Sequence, residues 1–161
     1  MSDKFKPRGT WREKLEKKQE PKIVDVPLDW QQRYGTGKML VPTPLLIDDL
    51  MRKVPEGRLI TVDQIRERLA RDFNVGSTCP LTTGIFLRIA AETAEEDLQL
   101  GKKEVTPYWR VIRGDGSLND KFPGGVEAQA ARLREEGHTI EPGRGKKSLR
   151  VRDYEKRLGQ L

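Results

Sequence analysis

The chain has one cysteine, Cys79, and one histidine, His138, so few of its side chains offer strong nucleophilic or basic chemistry. Cys79 lies at the start of a predicted helix, where the helix dipole can lower the pKa of a thiol. His138 is far away in the sequence, and a lone cysteine is more often a small buried apolar residue. An enzyme that uses Cys79 is therefore the least favoured function. One histidine cannot define a metal site, and the sequence predicts neither a metal nor a cofactor.

A second candidate site is the segment from Pro107 to Leu118, which places Tyr108, Trp109 and Arg110 at the start of a run of strand-forming residues. The run ends at Asp115-Gly116, a pair that is typical of a tight β-hairpin because both positions tolerate a positive φ. Two exposed aromatic residues would be costly. They either pack at a corner of the fold or contact a ligand.

The motifs in and after this segment resemble the C-terminal domain of the methylguanine-DNA methyltransferase family. The resemblance covers roughly residues 45–140 and rests on Pro107 to Val111, Gly114 to Leu118, Gly124-Gly125 and Glu136-Gly137. Tyr108 stands at the position of the family's alkyl-accepting cysteine, and Trp109 at that of its activating histidine. The resemblance thus implies a protein without a catalytic residue, similar to the alkyltransferase-like proteins, which bind alkylated guanine without removing the alkyl group.

The resemblance places Tyr108, Trp109 and Glu136 around a pocket for a flipped-out base. Glu136 matches the glutamate that orients the family's histidine, and it loses that partner unless the indole N–H of Trp109 donates to it. Tyr108 would lie at the pocket floor. Its ring could stack on a flipped base, or it could fill the pocket and prevent base binding. The sequence leaves both possibilities open.

The resemblance also implies DNA contacts from the third helix of the domain, which in the family enters the minor groove and inserts an arginine. The spacing of Gly84 and Arg88 matches the family's, which makes Arg88 the candidate for insertion. An ordinary exposed helix arginine is the alternative. Thr82, Thr83 and Gly84 are small and would allow close approach to the groove. Val62 stands where the family usually has a tyrosine that helps to rotate the phosphate.

Helical periodicity from Pro44 onward predicts the elements that position these residues. A first helix covers 45–54, and a capping box at Thr61-Val62-Asp63-Gln64 opens a second, with Ile65, Leu69 and Phe73 facing inward. The third begins near Pro80 and is predicted to bury Leu81, Ile85, Phe86 and Ile89. Residues 92–104 are expected to be a helix end and a solvated loop, and a last helix covers 126–136. Two capped helices followed by a hairpin predict a winged helix-turn-helix.

The fold class is therefore predicted to be mainly α with a small β-hairpin, a winged helix-turn-helix domain of the alkyltransferase C-terminal type. We divide the chain into a basic, partly ordered N-terminal extension (1–43), this domain (44–140) and a basic C-terminal tail (141–161). Residues 1–44 carry 10 Lys/Arg against 6 Asp/Glu, and residues 141–161 carry 7 against 3. The middle, 45–140, carries 14 against 16. Basic arms can contact phosphates without base preference, or they simply keep the protein soluble.

Two functions follow from these patterns. The first is a monomeric, non-enzymatic protein that binds double-stranded DNA, senses alkylated guanine by base flipping and signals to a repair-protein partner. The second is a protein-interaction or structural module that keeps the fold without lesion recognition. The single cysteine, and the lack of an apolar run of signal or membrane-spanning length, predict a cytoplasmic protein with no membrane association.

Overall fold

The computed structural model describes residues 10–146 and 149–161, and the predicted class, mainly α with small β elements, is confirmed. The helices are α1 (Trp11–Glu16), α2 (Gln31–Tyr34), α3 (Pro44–Met51), α4 (Val62–Asp72), α5 (Pro80–Gln99) and α6 (Gly125–Glu135). The strands are β1 (Lys22–Asp25), β2 (Lys38–Val41), β3 (Ile60–Thr61), β4 (Ser77–Thr78), β5 (Val111–Ile112), β6 (Ile140–Pro142) and β7 (Leu149–Val151). Within the described ranges, no helix is both long and apolar enough to cross a membrane.

The helix-turn-helix arrangement is formed by α4 and α5. The predicted capping box opens α4: the Thr61 hydroxyl accepts from the Gln64 N–H at 3.1 Å, and the Gln64 side chain accepts from the Thr61 N–H at 2.8 Å. Asn74 adopts a left-handed φ of 54° just after α4, where it helps to end the helix. Pro80 occupies the first turn of α5, as predicted.

Helix α5 extends into residues 92–104, where a helix end and a solvated loop were expected: the helix continues to Gln99, and residues 100–104 follow it. The helix runs for 20 residues to Gln99, because Thr93, Ala94 and Asp97 are buried. The Asp97 carboxylate accepts hydrogen bonds from Arg12 and from Lys102. The acidic run is thus partly structural, and one of its carboxylates ties α1 to α5.

The predicted inner face of α5 is also partly wrong. Leu81 and Ile85 are 62% and 50% exposed, whereas Thr83 and Leu87 are almost fully buried. The reason is that small residues (Ala90, Ala91 and Ala94) line the buried face next to α3, and they fix the rotation of the helix. The branched residues near its start are turned outward.

The predicted hairpin is replaced by a different arrangement. Residues Tyr108–Arg110 form a 3₁₀ turn, and β5 pairs in parallel with β3, with Ile60 opposite Val111. A tight turn follows, in which the Gly116 N–H donates to the Arg113 carbonyl at 2.9 Å. Beyond the turn, the Ser117 carbonyl accepts from the Arg113 N–H at 3.0 Å, and Ser117 also bridges to Arg150 of β7. The turn after β5 therefore depends on the C-terminal segment.

The N-terminal residues are integrated into the fold. Helix α1 is capped by Thr10 and packs against α3 and α5. Strand β1 pairs antiparallel with β2, which pairs in parallel with β4 of the helix-turn-helix. Trp30 and Tyr34, in the short helical segment between β1 and β2, pack beside Val26, Met39 and Cys79, and packing is what their spacing favours. Residues 1–9 lie outside the described part of the chain.

The C-terminal residues do not form a loose tail, which corrects the boundary predicted at 140/141. Strand β7 pairs with β6, and Val151 is fully buried. Leu59 donates to the Arg157 carbonyl at 3.0 Å and accepts from the Gly159 N–H at 2.8 Å. This segment completes a second apolar core, which is distinct from the main one between α3, α4 and α5. Of the predicted tail, only Lys147 and Ser148 lie outside the described residues.

Candidate nucleic-acid interface

One exposed face of α5 carries four residues at helical spacing, Leu81, Gly84, Ile85 and Arg88, which we call the α5 stripe. Each is classed as exposed. A Cβ added at Gly84 would meet nothing within 4 Å, so the packing of the chain does not require glycine there. Glycine in a helix interior costs about 1 kcal/mol relative to alanine. Its presence calls for a reason outside the fold of the monomer, such as close approach of a partner.

Arg88 ends the stripe, and its side chain is 52% exposed. Its Nε lies 3.8 Å from Glu92 Oε1, and the guanidinium lies 5.7 Å from the centre of the Trp11 ring. Such exposed contacts contribute little, about 0–1 kcal/mol for an ion pair. The side chain can leave them at small cost, so Arg88 is placed to contact a ligand.

The two threonines that the sequence analysis grouped with Gly84 differ in position. Thr83 is fully buried, and its hydroxyl donates to the Cys79 carbonyl at 2.7 Å. Thr83 therefore lies on the inner face of α5 and cannot offer its side chain to DNA, which corrects that expectation. Thr82 is half-buried at the edge of the stripe. Of the four predicted DNA-contacting residues, the structure brings Gly84 and Arg88 together on the open face.

Tyr108 is 1% exposed and packs within the main core. Its ring meets those of Trp109 and Phe122 edge to face, each at a centroid distance of 5.3 Å. Its hydroxyl donates to Glu95 Oε2 at 3.0 Å. Burial, reinforced by the negative charge of Glu95, raises the pKa of Tyr108 well above its usual value, so the phenol is neutral at physiological pH. In this conformation the ring is enclosed by the main core.

Glu136 accepts hydrogen bonds from two side chains of the same short segment. The Trp109 indole N–H donates to Glu136 Oε2 at 2.8 Å, the hydrogen bond that the sequence analysis left open. Arg110 donates to both carboxylate oxygens and, through Nη1, to the Val54 carbonyl at 2.7 Å. Burial alone would raise the pKa of Glu136, but these hydrogen bonds outweigh it and hold the pKa below its usual value. The arrangement is a structural clamp.

Two residues near Tyr108 were not predicted, Glu95 and Arg132. Arg132 Nη2 donates to Glu95 Oε2 at 3.1 Å, and its guanidinium lies 4.7 Å from the centre of the Trp109 ring. Together they cover the Tyr108 hydroxyl with a half-exposed ion pair. No sequence signal identified them, because they lie on α5 and α6, far apart in the chain.

Cys79 and His138 lie in different parts of the fold. Cys79 is 4% exposed and packs against Val26 and Met39. His138 lies just after α6 and borders C-terminal residues. Within residues 10–146 and 149–161, no cluster of three or more His, Cys, Asp or Glu could hold a metal ion.

The candidate site thus consists of the exposed α5 stripe, which ends in Arg88. The aromatic residues around Tyr108 are packed in the main core. No family model and no curated protein matches the sequence. Among solved structures, the fold of this chain is similar to the crystal structure of S. pombe Atl1 in complex with damaged DNA containing O6-carboxymethylguanine. The identity is 18% and the TM-score 0.49, over 73% of this chain and 94% of that one. Atl1 is an alkyltransferase-like protein, the group that the sequence motifs resemble.

Proposed function

We propose that this chain is a non-enzymatic protein that binds duplex DNA through the α5 stripe. The observation that carries the proposal is Gly84, which lies on the exposed face of the second helix of a helix-turn-helix where no internal contact requires glycine. A missing side chain at that position lets a backbone or a groove wall approach the helix closely. Minor-groove binding needs such an approach.

The other residues of the stripe suit the same surface. Leu81 and Ile85 present branched apolar side chains on either side of Gly84. Proteins that bind the minor groove often insert apolar side chains between base steps and place arginine in the groove. Arg88 supplies that arginine. The net charge of +6 supports phosphate contacts that do not depend on sequence.

We also propose recognition of alkylated guanine by base flipping, which would require contacts of Tyr108 to break. A flipped base could stack on Tyr108 only after the ring left Trp109 and Phe122 and its hydroxyl left Glu95. The half-exposed Glu95–Arg132 pair would have to open as well. We expect duplex binding to need none of these movements, and lesion preference to need all of them.

A protein-interaction module is the second candidate, and the same apolar side chains favour it. Leu81 and Ile85 lie together on one open face, and neighbouring exposed apolar residues often mark protein contacts. The two functions differ in their dependence on salt. Phosphate contacts weaken steeply as salt rises, whereas an apolar protein contact does not.

A fluorescence titration with two short duplexes tests the proposal, one with a single methylguanine and one unmodified, at low and moderate salt. Gly84→Leu fills the open space with a good helix former, so we expect unchanged or higher stability but DNA binding weakened about tenfold or more. Arg88→Ala should also weaken binding clearly more than Arg134→Ala, which removes an exposed arginine from α6. Equal effects of the two arginine variants would refute the role of the stripe.

The two duplexes separate lesion sensing from general binding. Tighter binding to the methylguanine duplex would establish a damage sensor. Equal binding to both duplexes would indicate a general DNA-binding protein. No binding to either duplex at low salt would favour the protein-interaction module. Mass spectrometry after incubation with the alkylated duplex tests the non-enzymatic assignment. We expect an unchanged protein mass, and a gain of one methyl group would contradict it.

A further inference from the structure

A surface cavity of about 200 Å³ lies between the end of α6 and the C-terminal segment. It is away from the α5 stripe in sequence and shares no residue with it. Its lining residues are Gly137, His138, Thr139, Arg152, Asp153, Lys156 and Arg157. A water molecule occupies about 30 Å³ of liquid, so the cavity has room for a small polyatomic ligand with its hydration water.

The lining is strongly basic. Three of its side chains are cationic, and Asp153 is the one acid among them. Arg152 Nε is paired with Glu141 Oε2 at 2.9 Å, outside the lining. Lys156 and Arg157 form no ion pair with a carboxylate among the described residues, and both are exposed. Two uncompensated cations around one concave space favour an anionic ligand.

His138 forms a buried part of the wall and is itself incompletely satisfied. The residue is 5% exposed, and neither ring nitrogen has a hydrogen-bond partner in the described chain. A buried polar group without a partner costs about 1–3 kcal/mol and requires an explanation, such as a water or an ion. Burial lowers the pKa of His138, and the positive charge of Arg157 lowers it further, against the opposing effect of Glu136. Arg157 therefore lies close enough to His138 for its charge to act on the ring.

We propose that this cavity binds a phosphate group, held by Lys156 and Arg157. Arginine donates two parallel hydrogen bonds to phosphate oxygens, and lysine adds a point charge. A bound dianion, with the water that accompanies it, would place hydrogen-bond partners next to the His138 ring, whose nitrogens have none among the described residues. The phosphate belongs either to the DNA backbone or to a small phosphorylated molecule. The proposal does not depend on DNA binding by the α5 stripe.

His138 makes the test unambiguous, because it is the sole histidine of the chain. Inorganic phosphate is titrated into ¹⁵N-labelled full-length protein, with sodium chloride of equal ionic strength in a parallel titration. We expect saturable shifts of the His138 ring nitrogens and of the Gly137 and Thr139 amides with phosphate, and no saturable shift with chloride. Equal responses to both salts, or no saturable response to phosphate, would overturn the proposal.

A double variant, Lys156→Gln with Arg157→Gln, tests which residues hold the phosphate. Both side chains are exposed, so the fold should persist. We expect phosphate affinity to fall at least about tenfold, since charge-assisted hydrogen bonds are lost. Lys103→Gln with Lys121→Gln removes two exposed cations elsewhere and should leave the affinity unchanged. Equal affinities in the two double variants would refute the assignment.

A duplex identifies the source of the phosphate. If the cavity holds a backbone phosphate, saturating unmodified duplex shifts the same resonances and competes with inorganic phosphate. If it holds a small phosphorylated molecule, the DNA-saturated protein binds inorganic phosphate as tightly as the free protein does. Should the protein bind no duplex, the function proposed for the α5 stripe fails, while the phosphate titration still decides the cavity.

Discussion

Tyr108 joins three segments of the chain that sequence alone could not bring together. Its hydroxyl reaches Glu95 on α5, Glu95 is paired with Arg132 on α6, and its ring packs against Phe122 in the loop before α6. A residue with these contacts stabilises the core. The position that the resemblance assigns to a nucleophile is therefore occupied here by a buried aromatic residue.

Substitution of Tyr108 separates the contributions of its ring and its hydroxyl. Tyr108→Phe keeps the edge-to-face contacts and leaves Glu95 with Arg132, so we expect a loss of about 1 kcal/mol in the free energy of unfolding. Tyr108→Ala leaves a cavity in the core and should cost about 3–5 kcal/mol. Urea denaturation followed by circular dichroism measures both. Similar losses in the two variants would show that the ring is not packed as described.

The clamp at Glu136 predicts a pH dependence of stability. Its pKa is depressed in the folded protein, whereas an unfolded glutamate titrates near about 4.3. Its contribution is therefore complete above that value and is lost as the pH falls through the lower folded pKa, because the unfolded chain binds more protons. Glu136→Gln should lower the free energy of unfolding by about 3 kcal/mol at pH 7, since Arg110 loses its counter-charge. The variant should also lose less stability than wild type as the pH falls below ~4.3.

The matched control for this prediction is Glu135→Gln, which alters the exposed neighbour of Glu136 on the same helix end. We expect it to change stability at pH 7 by less than about 0.5 kcal/mol. Urea midpoints measured from pH 7 to pH 3 give the comparison. An acid decline of equal steepness in wild type and Glu136→Gln would contradict the role of the clamp.

At the scale of elements, the sequence predicted those features that depend on neighbouring residues. The capping box of Thr61 and Gln64 and the position of Pro80 in the first turn of α5 are local signals, and both are present. Features that depend on distant partners were missed. β5 pairs with β3, some fifty residues earlier in the chain, and the rotation of α5 is set by alanines packed near α3. Leu81 and Ile85 follow the helical period that predicted a buried face, but they lie on the outer face of α5.

The link between α1 and α5 gives a prediction at this scale. Helix α1 has six residues, too few to be stable alone, and Arg12 anchors it to the buried Asp97. Arg12→Ala should cost about 2 kcal/mol, because a charge-assisted hydrogen bond to a buried carboxylate is lost. Arg134→Ala, which removes an exposed arginine from α6, should cost less than about 0.5 kcal/mol. Equal urea midpoints for the two variants would refute the anchor.

For the whole molecule, the termini are the main difference between sequence and structure. Their basic composition favoured extensions, yet charge content does not show that apolar side chains such as Leu15, Val26 and Val151 are buried. Val151 and Leu158 belong to the second core, together with Leu59 and Leu133. The candidate site shows the same division. Gly84, Arg88 and the Trp109–Glu136 bond followed from motifs, whereas the Glu95–Arg132 pair and the phosphate cavity depend on contacts between distant segments.

A chain that ends at residue 148 tests this view of the C-terminal segment. The deletion removes four side chains from the second core, Leu149, Val151, Tyr154 and Leu158, and unpairs the backbone of Leu59. Burial of each apolar side chain contributes about 1.5–3 kcal/mol, so the total approaches the 5–15 kcal/mol that stabilises a typical domain. We expect loss of the cooperative urea transition. In full-length protein, Val151→Ala should cost about 2 kcal/mol, and Leu100→Ala, which is 77% exposed, should change little. A shortened chain with the full-length urea midpoint would mean that residues 149–161 are a tail after all.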